Sequence, residues 1–278
     1  TVNDTWCVLP WIHMCVRPNN TLKPCCRYSS SSPSEEFTSS LDDVPAQGTD
    51  ALNTASFNKI RQKMLEGKKL PGCKKCYSQE DVVGISDRKS LRQYKNDQFS
   101  SVKKEDCTDQ FLQLRYIEMS IDNICNLQCK MCTSMFSSRL INRDKMLGLP
   151  VHKKLEPNFT KLDTVDLSGL EAVKILGGEP FITPNFEKFI DYLIDRADPS
   201  KITLEIATNG TALPSVQIVD KLNRFKQIIA FVSLDSYHKS NDYQRHGSSY
   251  LTVFENAIKY EKMFTNVVLT FHTVVTLL

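Results

Sequence analysis

Apolar strands alternate with amphipathic helices from about residue 112 onward, and this alternation limits the possible folds more than any other feature. Helices are predicted at 185–196, 214–224 and 249–263. Such alternation indicates parallel β/α units joined by right-handed crossovers, in which functional groups gather at the carboxyl ends of the strands. The strands are predicted at 115–121, 173–176, 202–206, 228–233 and 267–275.

Each of the three helices has an apolar face or a start signal. The first has one apolar stripe at i, i+3, i+4 spacing. Pro214 is predicted as the first helical residue of the second helix. In the third, Phe254, Ala257 and Ile258 are predicted to share one face, with Ser248 or Ser249 as the cap. The stripe of the first helix consists of Phe186, Phe189, Ile190, Leu193 and Ile194.

Residues 1–110 are less regular and hold seven of the ten cysteines. The serine-rich segment 29–40 is predicted to be a solvated loop. A helix is predicted at 51–65, ended by Gly67, and a second near 86–97. We therefore predict two domains, 1–110 and 111–278. Because the chain starts without Met and ends in VVLTFHTVVTLL, we expect a fragment cut inside or just after a strand.

Size and charge exclude several classes of protein. The chain has 278 residues, of which 41% are hydrophobic, enough for a substantial core, and its net charge is only +3. No block of Lys and Arg suggests nucleic-acid binding, and no apolar run approaches the roughly 18–20 residues of a membrane span. With no signal peptide visible, we predict a cytoplasmic protein whose close cysteine pairs bind metal rather than form disulfides.

Three cysteines follow the first predicted strand in one short loop, Cys125-Asn-Leu-Gln-Cys129-Lys-Met-Cys132. A structural zinc site normally takes four protein ligands and seldom packs three cysteines so tightly. Three thiolates on a [4Fe–4S] cluster leave one iron open for a chelating ligand. A buried or zinc-bound cysteine group is the alternative.

This C-x3-C-x2-C spacing closely resembles the signature of the radical S-adenosylmethionine (SAM) superfamily. Met131 stands where that family often has an aromatic residue. The resemblance implies that Cys125, Cys129 and Cys132 are catalytic residues that hold a [4Fe–4S] cluster. Its open iron binds SAM, whose reductive cleavage gives a 5′-deoxyadenosyl radical that abstracts hydrogen from a substrate.

The loops after the later strands resemble the same family. Gly177-Gly178-Glu179-Pro180 matches its GGEP motif, which contacts the SAM amino group, although such a segment can also be an ordinary turn. Thr208 and Asn209 are expected near the SAM ribose or methionyl part. Ser233 and Asp235 line the SAM or substrate site, and Asp235 is a candidate acid or base. Tyr243, Arg245 and Gly247 resemble the family's Tyr–Arg–Gly stretch, in which Arg245 either pairs with the SAM carboxylate or is a solvated arginine. His238, His246 and His272 are expected to be structural.

The amino-terminal cysteines resemble the twitch domain, a short relative of the SPASM domain that holds an auxiliary [4Fe–4S] cluster. Its ligands here are Cys7, Cys25, Cys73 and Cys76, and Asn20 replaces the usual glycine at a position of positive φ. A four-cysteine zinc site is the alternative. Cys26 is an alternative to Cys25, whereas Cys15 and Cys107 are expected to be buried thiols.

The sequence therefore predicts an α/β fold, a partial (β/α)6 radical SAM barrel with about five strands present, preceded by a small irregular cysteine-rich domain. We predict an oxidoreductase or a peptide- or small-molecule-modifying enzyme that draws electrons from a flavodoxin or ferredoxin and contacts neither nucleic acid nor membrane. A non-catalytic iron–sulfur or zinc protein that retains the fold is the alternative. A polar SAM methyltransferase lacks support, because no glycine-rich turn follows the first strand.

Overall fold

The computed structural model describes residues 5–29, 39–44, 52–89, 102, 105, 107, 112–153, 155 and 159–276. These residues form two compact units, neither of which is continuous in sequence. The first contains the described residues of 1–16, 20–118 and 159–171, and the second contains those of 17–19, 119–158 and 172–278. The sequence-continuous domains 1–110 and 111–278 stay a prediction.

The first unit begins with a short helix, α1 (Leu9–Ile12), and three antiparallel strands, β1 (His13–Val16), β2 (Thr21–Lys23) and β3 (Ser39–Ser40). Asn20, immediately before β2, has φ +63°, the left-handed conformation expected of it. Asparagine tolerates that region better than other non-glycine residues, so it can occupy the position of a glycine.

Two helices complete the regular structure described in this unit. In α2 (Ala55–Leu65), Phe57, Ile60 and Met64 are buried on one face, and the Thr54 hydroxyl accepts from the Phe57 amide. α3 (Lys74–Val83) follows the short 3₁₀ helix Pro71–Cys73, so that Cys73 and Cys76 lie at a helix start. The predicted helix at 51–65 starts later than expected, because Thr54 supplies the cap. Most of the predicted helix near 86–97 lies outside the described residues.

The second unit is built on parallel strands. Strand β4 (Tyr116–Ser120) begins in the first unit and ends here, followed by the two-residue strand β5 (Gln128–Cys129) and helix α4 (Ile141–Met146). The remaining elements follow in chain order: β6 (Ala172–Leu176), α5 (Pro184–Arg196), β7 (Thr203–Thr208), α6 (Val216–Leu222), β8 (Gln227–Ser233), α7 (Lys239–Gln244), β9 (Arg245–His246), α8 (Tyr250–Met263) and β10 (Val267–His272).

The strands of this unit are ordered β10–β8–β7–β6–β4, with parallel pairing from β6 through β7 and β8 to β10. Helix α5 buries the predicted stripe of Phe186, Phe189, Ile190 and Leu193, although Ile194 is only half-buried. The predicted α/β class with a largely parallel sheet is therefore confirmed. Since functional groups of such sheets collect at the carboxyl ends of the strands, the loops after β4, β6, β7 and β8 form one region.

Two helix predictions are wrong in detail. Pro214 precedes helix α6 instead of starting it, because the Ser215 hydroxyl accepts from Ile218 N and caps the helix. In α8, Ala257 is buried, but Phe254 and Ile258 are exposed, and Val253, Asn256 and Tyr260 are buried together with Ala257. Asn256 donates to the Gly210 carbonyl at 2.9 Å and Tyr260 to the Ala212 carbonyl at 2.6 Å. Because these two polar side chains hydrogen-bond to buried loop carbonyls, the face that carries them is buried and the face with Phe254 and Ile258 is exposed. Ser249, one of the two predicted caps, accepts from Thr252 N.

No helix in the described part of the chain is both long enough and apolar enough to cross a membrane.

Candidate functional site

The three-cysteine loop is held by a short antiparallel pairing. Cys129 of β5 lies opposite Arg245 of β9, and Gln128 lies opposite His246. The amide of Lys130 donates to the Gln244 carbonyl at 2.8 Å. This pairing joins the loop to the segment between β8 and α8 and so restricts its backbone. Two-residue strands leave no alternating pattern, so the sequence did not predict this pairing.

Arg143 and Asp144 of helix α4 hold the far side of the loop. The Arg143 guanidinium donates to the Cys132 carbonyl and lies 2.7 Å from an Asp144 carboxylate oxygen. The Asp144 carboxylate also accepts from the Ser134 amide at 2.6 Å. Neither residue was predicted from the sequence, because an Arg-Asp pair on a polar helix looks like an ordinary solvated face. Buried Asp144 and its amide partner show instead that the pair supports the loop.

The structure brings the three loop thiols close enough to influence one another electrostatically. Burial raises the pKa of all three, and that of Cys129 rises to about 11. The positive charge of Arg245 opposes the rise of the Cys129 and Cys132 pKa values, and Arg143 also opposes that of Cys132. Cys125 and Cys132 are half-buried. Two cations therefore face a group of thiols that must be ionised to bind metal.

Arg245 and Asp235 form a fork-shaped ion pair. Arg245 Nε lies 2.7 Å from Asp235 Oδ2, and Arg245 Nη2 donates to Oδ1 at 2.9 Å. The Asp235 side chain is fully buried and that of Arg245 is 9% exposed. Both residues were predicted to bind a cofactor, but their pairing was not predicted. The structure gives Arg245 a buried carboxylate partner in place of a solvated position, and its charge lies near Cys129.

The predicted GGEP loop lies against the start of the three-cysteine loop. Gly177 has φ +126°, and a Cβ atom on Gly178 would lie 1.8 Å from the Ile124 carbonyl oxygen. The Gly178 amide donates to the Asp122 carbonyl at 3.0 Å, and the Glu179 amide donates to the Ile124 carbonyl at 2.7 Å. The two glycines therefore permit a close approach of two backbones that side chains would prevent.

The carboxylate of Glu179 joins the GGEP loop to the loop after β7. It accepts from Asn209 N at 2.6 Å and from Thr208 Oγ1 at 2.7 Å, and from Phe181 N at the start of the short helix Pro180–Ile182. Glu179 is fully buried, and burial raises its pKa to about 7 despite these hydrogen bonds. The sequence placed Glu179, Thr208 and Asn209 at strand ends but did not predict that they contact each other.

Asn209 extends this network to the cysteine loop. Its side-chain amide donates to Asn126 Oδ1 at 2.9 Å and approaches the Cys125 sulfur at 3.8 Å. The loops after β4, β6 and β7 are thus connected through Glu179 and Asn209. Asn126 was not predicted as a functional residue, since an asparagine between two loop cysteines carries no distinctive signal.

Asp122 was missed as well, and it supports the same corner. Its carboxylate accepts from the Ile124 amide at 2.9 Å, from Asn185 Nδ2 at 3.0 Å and from the Thr183 hydroxyl. Asp122 is fully buried and lies two residues after the end of β4. An aspartate directly after an apolar strand, facing the site edge, is the signal that could have identified it.

The remaining predicted residues surround this network. Half-buried Met131 lies between two ligand cysteines, and half-buried Ser233 ends β8. Tyr243 is 58% exposed, with the Lys130 ammonium 4.0 Å from its ring centre. Gly247 has φ +95°. Among the histidines, His238 stacks on Tyr250 at 4.8 Å, His246 pairs with Gln128 through the backbone, and His272 lies 5.9 Å from the Phe231 ring.

The first unit brings together the amino-terminal cysteines. Burial and the nearby Cys7 and Cys73 thiols raise the pKa of Cys25 well above its ordinary value. Burial, Cys7 and Cys76 likewise raise the pKa of Cys73. Cys26, the predicted alternative to Cys25, is half-buried. Cys15 and Cys107 are buried, as expected. Across the described residues, no group of three or more His, Cys, Asp or Glu side chains is arranged to hold a single metal ion.

The protein-family comparison identifies this chain. The family model described as "Radical SAM superfamily" matches residues 119–276, which include the three-cysteine loop and the strands β6, β7, β8 and β10. The chain therefore belongs to the radical SAM superfamily, as the cysteine spacing predicted. Membership of this family implies iron–sulfur and SAM chemistry, and the partial barrel is consistent with the parallel strands described above.

Among curated relatives, GTP 3′,8-cyclase of Haemophilus ducreyi is 29% identical over 106 residues, which cover 38% of this chain and 29% of the relative. Radical SAM cyclopropyl synthase TigE of Paramaledivibacter caminithermalis is 29% identical over 160 residues, 53% of this chain and 32% of the relative. This chain thus spans about a third of the length of either relative. Among solved structures, Streptococcus suis SuiB bound to the precursor peptide SuiA has 15% identity and a TM-score of 0.37, with 94% of this chain and 55% of SuiB covered.

Proposed function

We propose that Cys125, Cys129 and Cys132 hold a [4Fe–4S] cluster and that this chain cleaves SAM reductively to start a radical modification of its substrate. One observation carries this proposal: three half-buried or buried thiols of one short loop, near enough to affect one another's pKa values, lie beside the GGEP loop at the carboxyl ends of parallel strands. When bound, the cluster supplies one electron to the SAM sulfonium, and SAM supplies the radical that abstracts hydrogen.

The residues present fit such a cluster. Three thiolates leave one iron position for a further ligand, and the charges of Arg143 and Arg245 offset part of the negative charge that the thiolates gain. The pairing between β5 and β9 and the contacts of Arg143 fix the loop backbone before any ligand binds. A preformed loop of this kind lowers the entropic cost of binding.

The predicted SAM-binding residues have separate tasks in this proposal. Gly177 and Gly178 let the backbone approach the SAM amino group, and Glu179 in its ionised form accepts from that ammonium. Glu179 Oε2 receives one described hydrogen bond, from Asn209 N, so an ammonium can use its second lone pair. Thr208 and Asn209 hold that carboxylate in place. Met131, Pro180 and Ser233 form the wall of the site.

Arg245 and Asp235 act as a unit. Because the Asp235 carboxylate accepts from Arg245 Nη2 and lies 2.7 Å from Arg245 Nε, the guanidinium is held in place with its charge near Cys129. Its remaining donors can still bind the SAM carboxylate, as the resemblance implies. Asp235 then serves as the orienting group, and an acid or base role for it requires the pair to open.

In this proposal a second [4Fe–4S] cluster is held by Cys7, Cys25, Cys73 and Cys76. After burial, Cys7 and Cys73 raise the pKa of Cys25, and Cys7 and Cys76 raise that of Cys73, which supports a single group although the four residues lie far apart in sequence. A zinc ion is the alternative. Metal binding relieves the repulsion between ionised thiols, whichever metal is bound.

The names of the curated relatives, a GTP cyclase and a cyclopropyl synthase, support a ring-forming or otherwise modifying reaction on a small molecule or peptide. We propose that the substrate is of one of these two kinds and that a flavodoxin or ferredoxin in the cytoplasm delivers the electron. A non-catalytic iron–sulfur or zinc protein with the same fold is the second candidate, because the front cysteines alone suit a structural metal.

The test uses the full-length protein that contains this chain, reconstituted with iron and sulfide without oxygen. SAM and dithionite are added, and 5′-deoxyadenosine is measured by chromatography for the wild type and for Cys129→Ala. Release by the wild type and none by the variant supports the proposal. Equal release by both contradicts it, and iron bound without any release favours the non-catalytic candidate.

A separate measurement tests the front site. Iron and zinc are counted by elemental analysis in the wild type and in Cys73→Ala. The second cluster predicts a loss of about four irons per chain with no change in zinc. A loss of zinc in place of iron identifies the alternative, and no loss of either metal excludes both.

A further inference from the structure

Four large apolar side chains are exposed within six residues at the end of helix α4. Met146 is 87% exposed and Leu147 is 63% exposed, and Leu149 and Val151 are exposed as well. Single exposed apolar residues are ordinary, but a group of them typically marks a place where another molecule binds. No step of the proposed reaction uses this 146–151 segment.

Two buried polar side chains fix the 146–151 segment beside the three-cysteine loop. The Ser134 hydroxyl donates to the Pro150 carbonyl at 3.3 Å and accepts from the His152 amide at 3.1 Å. Asn123 donates to the carbonyls of Ser134 and Lys153 at 2.9 and 3.1 Å. Ser134 and Asn123 are both fully buried. The exposed apolar side chains are therefore carried by a backbone that is held in place just after the last loop cysteine.

Helix α4 and the residues before it contact the backbone of the same loop. The Arg143 guanidinium donates to the Cys132 carbonyl, and Gln128 Nε2 donates to the Arg139 carbonyl at 3.1 Å. The rate of electron transfer between two centres falls steeply with the distance between them. A protein that reduces a cluster held by this loop must therefore dock close to these residues.

This part of the chain is also basic, although the whole chain has little net charge. Residues 125–153 contain five Lys or Arg residues and one Asp, a net charge of +4, whereas the whole chain carries +3. The one acidic residue, Asp144, is buried and paired with Arg143. The four exposed cations of the stretch are Lys130, Arg139, Lys145 and Lys153. Exposed cations around an apolar group complement an acidic protein surface.

The size and shape of this surface favour a protein partner over a membrane. Anionic membranes also attract basic apolar segments, but they typically bind a long amphipathic helix, and α4 has only six residues. A small apolar centre with a charged rim is typical of contacts between proteins. Complexes of electron-transfer proteins are among the smallest and weakest of these contacts.

We propose that the 146–151 segment and the four exposed cations form the docking surface for an acidic one-electron carrier protein. The inference rests on the proposed function and adds the place at which the electron enters. The carrier gives up one electron to the cluster held by the adjacent loop, and no bond forms or breaks in that step.

The experiment compares electron donors for the reconstituted full-length protein. Release of 5′-deoxyadenosine from SAM is measured with dithionite, a small reductant that needs no docking surface, and with reduced flavodoxin and reduced ferredoxin. One variant of the docking surface reverses two charges, Lys145→Glu/Lys153→Glu. The other replaces two apolar side chains, Met146→Ser/Leu147→Ser.

Each variant has a matched control at exposed residues of other helices in the same unit. Lys259→Glu/Lys262→Glu changes the net charge by the same amount, and Val216→Ser/Leu251→Ser replaces two exposed apolar side chains. Binding of oxidised flavodoxin and ferredoxin to the iron-free proteins is measured separately by titration calorimetry at low salt. This second readout does not depend on the activity of the loaded enzyme.

We expect the charge-reversal variant to lower carrier-supported release about tenfold at low salt, because opposite charges speed association. Added salt should reduce this effect, since ions screen exposed charges. The apolar variant should lower carrier-supported release at both low and high salt. Both variants should release 5′-deoxyadenosine with dithionite as the wild type does, and both controls should behave as the wild type with every donor.

Unchanged carrier-supported release in both surface variants would overturn the inference, as would an equal loss with dithionite or in the controls. A wild type that is active with dithionite but with neither carrier would also overturn it, and so would binding to anionic phospholipid vesicles in place of the carriers. If the wild type releases nothing even with dithionite, the proposed function fails. Weaker carrier binding by the iron-free surface variants than by their controls then still supports the docking surface, and equal binding refutes it.

Discussion

The two cysteine groups of this chain are built in opposite ways. Cys125, Cys129 and Cys132 lie in one short loop, whereas Cys7, Cys25, Cys73 and Cys76 are gathered from distant parts of the sequence. Cations lie near the loop thiols, and the Cys129 pKa rises only to about 11. In the front group the neighbouring thiols add to the effect of burial, and the Cys25 pKa rises well above its ordinary value.

The two arrangements would suit different kinds of metal group. The loop is held by backbone pairing with β9 and by Arg143, and it leaves Cys125 and Cys132 half-buried. It suits a group that must accept SAM from outside. The front group depends on folding of the whole first unit and is electrostatically unfavourable until a metal neutralises its thiolates. It suits a permanently bound group.

The largest expected effect on stability comes from Arg245→Met. This change leaves the fully buried Asp235 carboxylate without its ion-pair partner, which typically costs about 3–5 kcal/mol. Denaturant unfolding of the iron-free protein measures the change. The double variant Arg245→Met/Asp235→Asn removes the unpaired charge and should recover most of the loss. An Arg245→Met variant as stable as the wild type would show that the Arg245–Asp235 pair does not stabilise the structure around the three-cysteine loop.

Glu179 should make the stability of the loop region depend on pH. Its folded pKa of about 7 lies above the ordinary 4.5, so folding favours the protonated form. The stabilisation that it contributes is complete below about pH 4.5 and is lost as the pH rises to about 7, a total of about 3 kcal/mol. Glu179→Gln removes this titration.

The measurement compares the unfolding free energies of the wild type and Glu179→Gln between about pH 5 and pH 8. The wild type should lose stability relative to the variant as the pH rises. A constant difference between the two proteins would show that Glu179 is ionised throughout, and the network with Thr208 and Asn209 would then not need a protonated carboxyl group.

Gly178→Ala tests the close contact between the GGEP loop and the start of the cysteine loop. The added Cβ would lie 1.8 Å from the Ile124 carbonyl oxygen, so one backbone must move, at a cost of about 1–3 kcal/mol. We expect SAM cleavage to be lost. Gly84→Ala in the first unit is the control, since its Cβ meets nothing within 4 Å, and it should only add the cost of a positive φ, about 1–2 kcal/mol. Equal SAM cleavage in both variants would contradict the assigned role of Gly178.

The smallest expected effect is a difference in thiol reactivity. Iodoacetamide attacks the thiolate, so in the iron-free protein Cys129 should be labelled faster than Cys25 or Cys73. The expected difference is about three- to fourfold for each pKa unit, because a thiolate of higher pKa is also a stronger nucleophile. Mass spectrometry after short labelling times gives the order. Faster labelling of Cys25 than of Cys129 would reverse the electrostatic contrast between the two groups.

Local patterns predicted the parts of this structure that depend on local residues. The stripe of α5 was correct because an apolar period of this kind determines which face is buried. The prediction for α8 was wrong for Phe254 and Ile258, because Asn256 and Tyr260 occupy the buried face and donate to carbonyls of a loop far away in sequence. The five strands were found with shifts of a few residues at their ends, where hydrogen bonding decides the limits.

In the candidate site, too, local features were predictable and contacts between distant residues were not. Spacing alone singled out the three-cysteine loop, and the positions after the strands singled out Glu179 and Asn209. The contacts that join them were not predictable, because the ion pair of Arg245 with Asp235 and the hydrogen bond of Asn209 to Glu179 depend on how separate loops meet. The amino-terminal set came from resemblance, since four scattered cysteines among ten permit many pairings.

The most direct test of the account compares 5′-deoxyadenosine release from Cys129→Ala and Cys73→Ala, both reconstituted in the full-length protein and given SAM and dithionite. The account predicts that each variant loses about four irons and that only Cys129→Ala loses SAM cleavage. Cleavage by Cys129→Ala, or its loss in Cys73→Ala while the loop cluster remains intact, would contradict the division of tasks between the two cysteine groups.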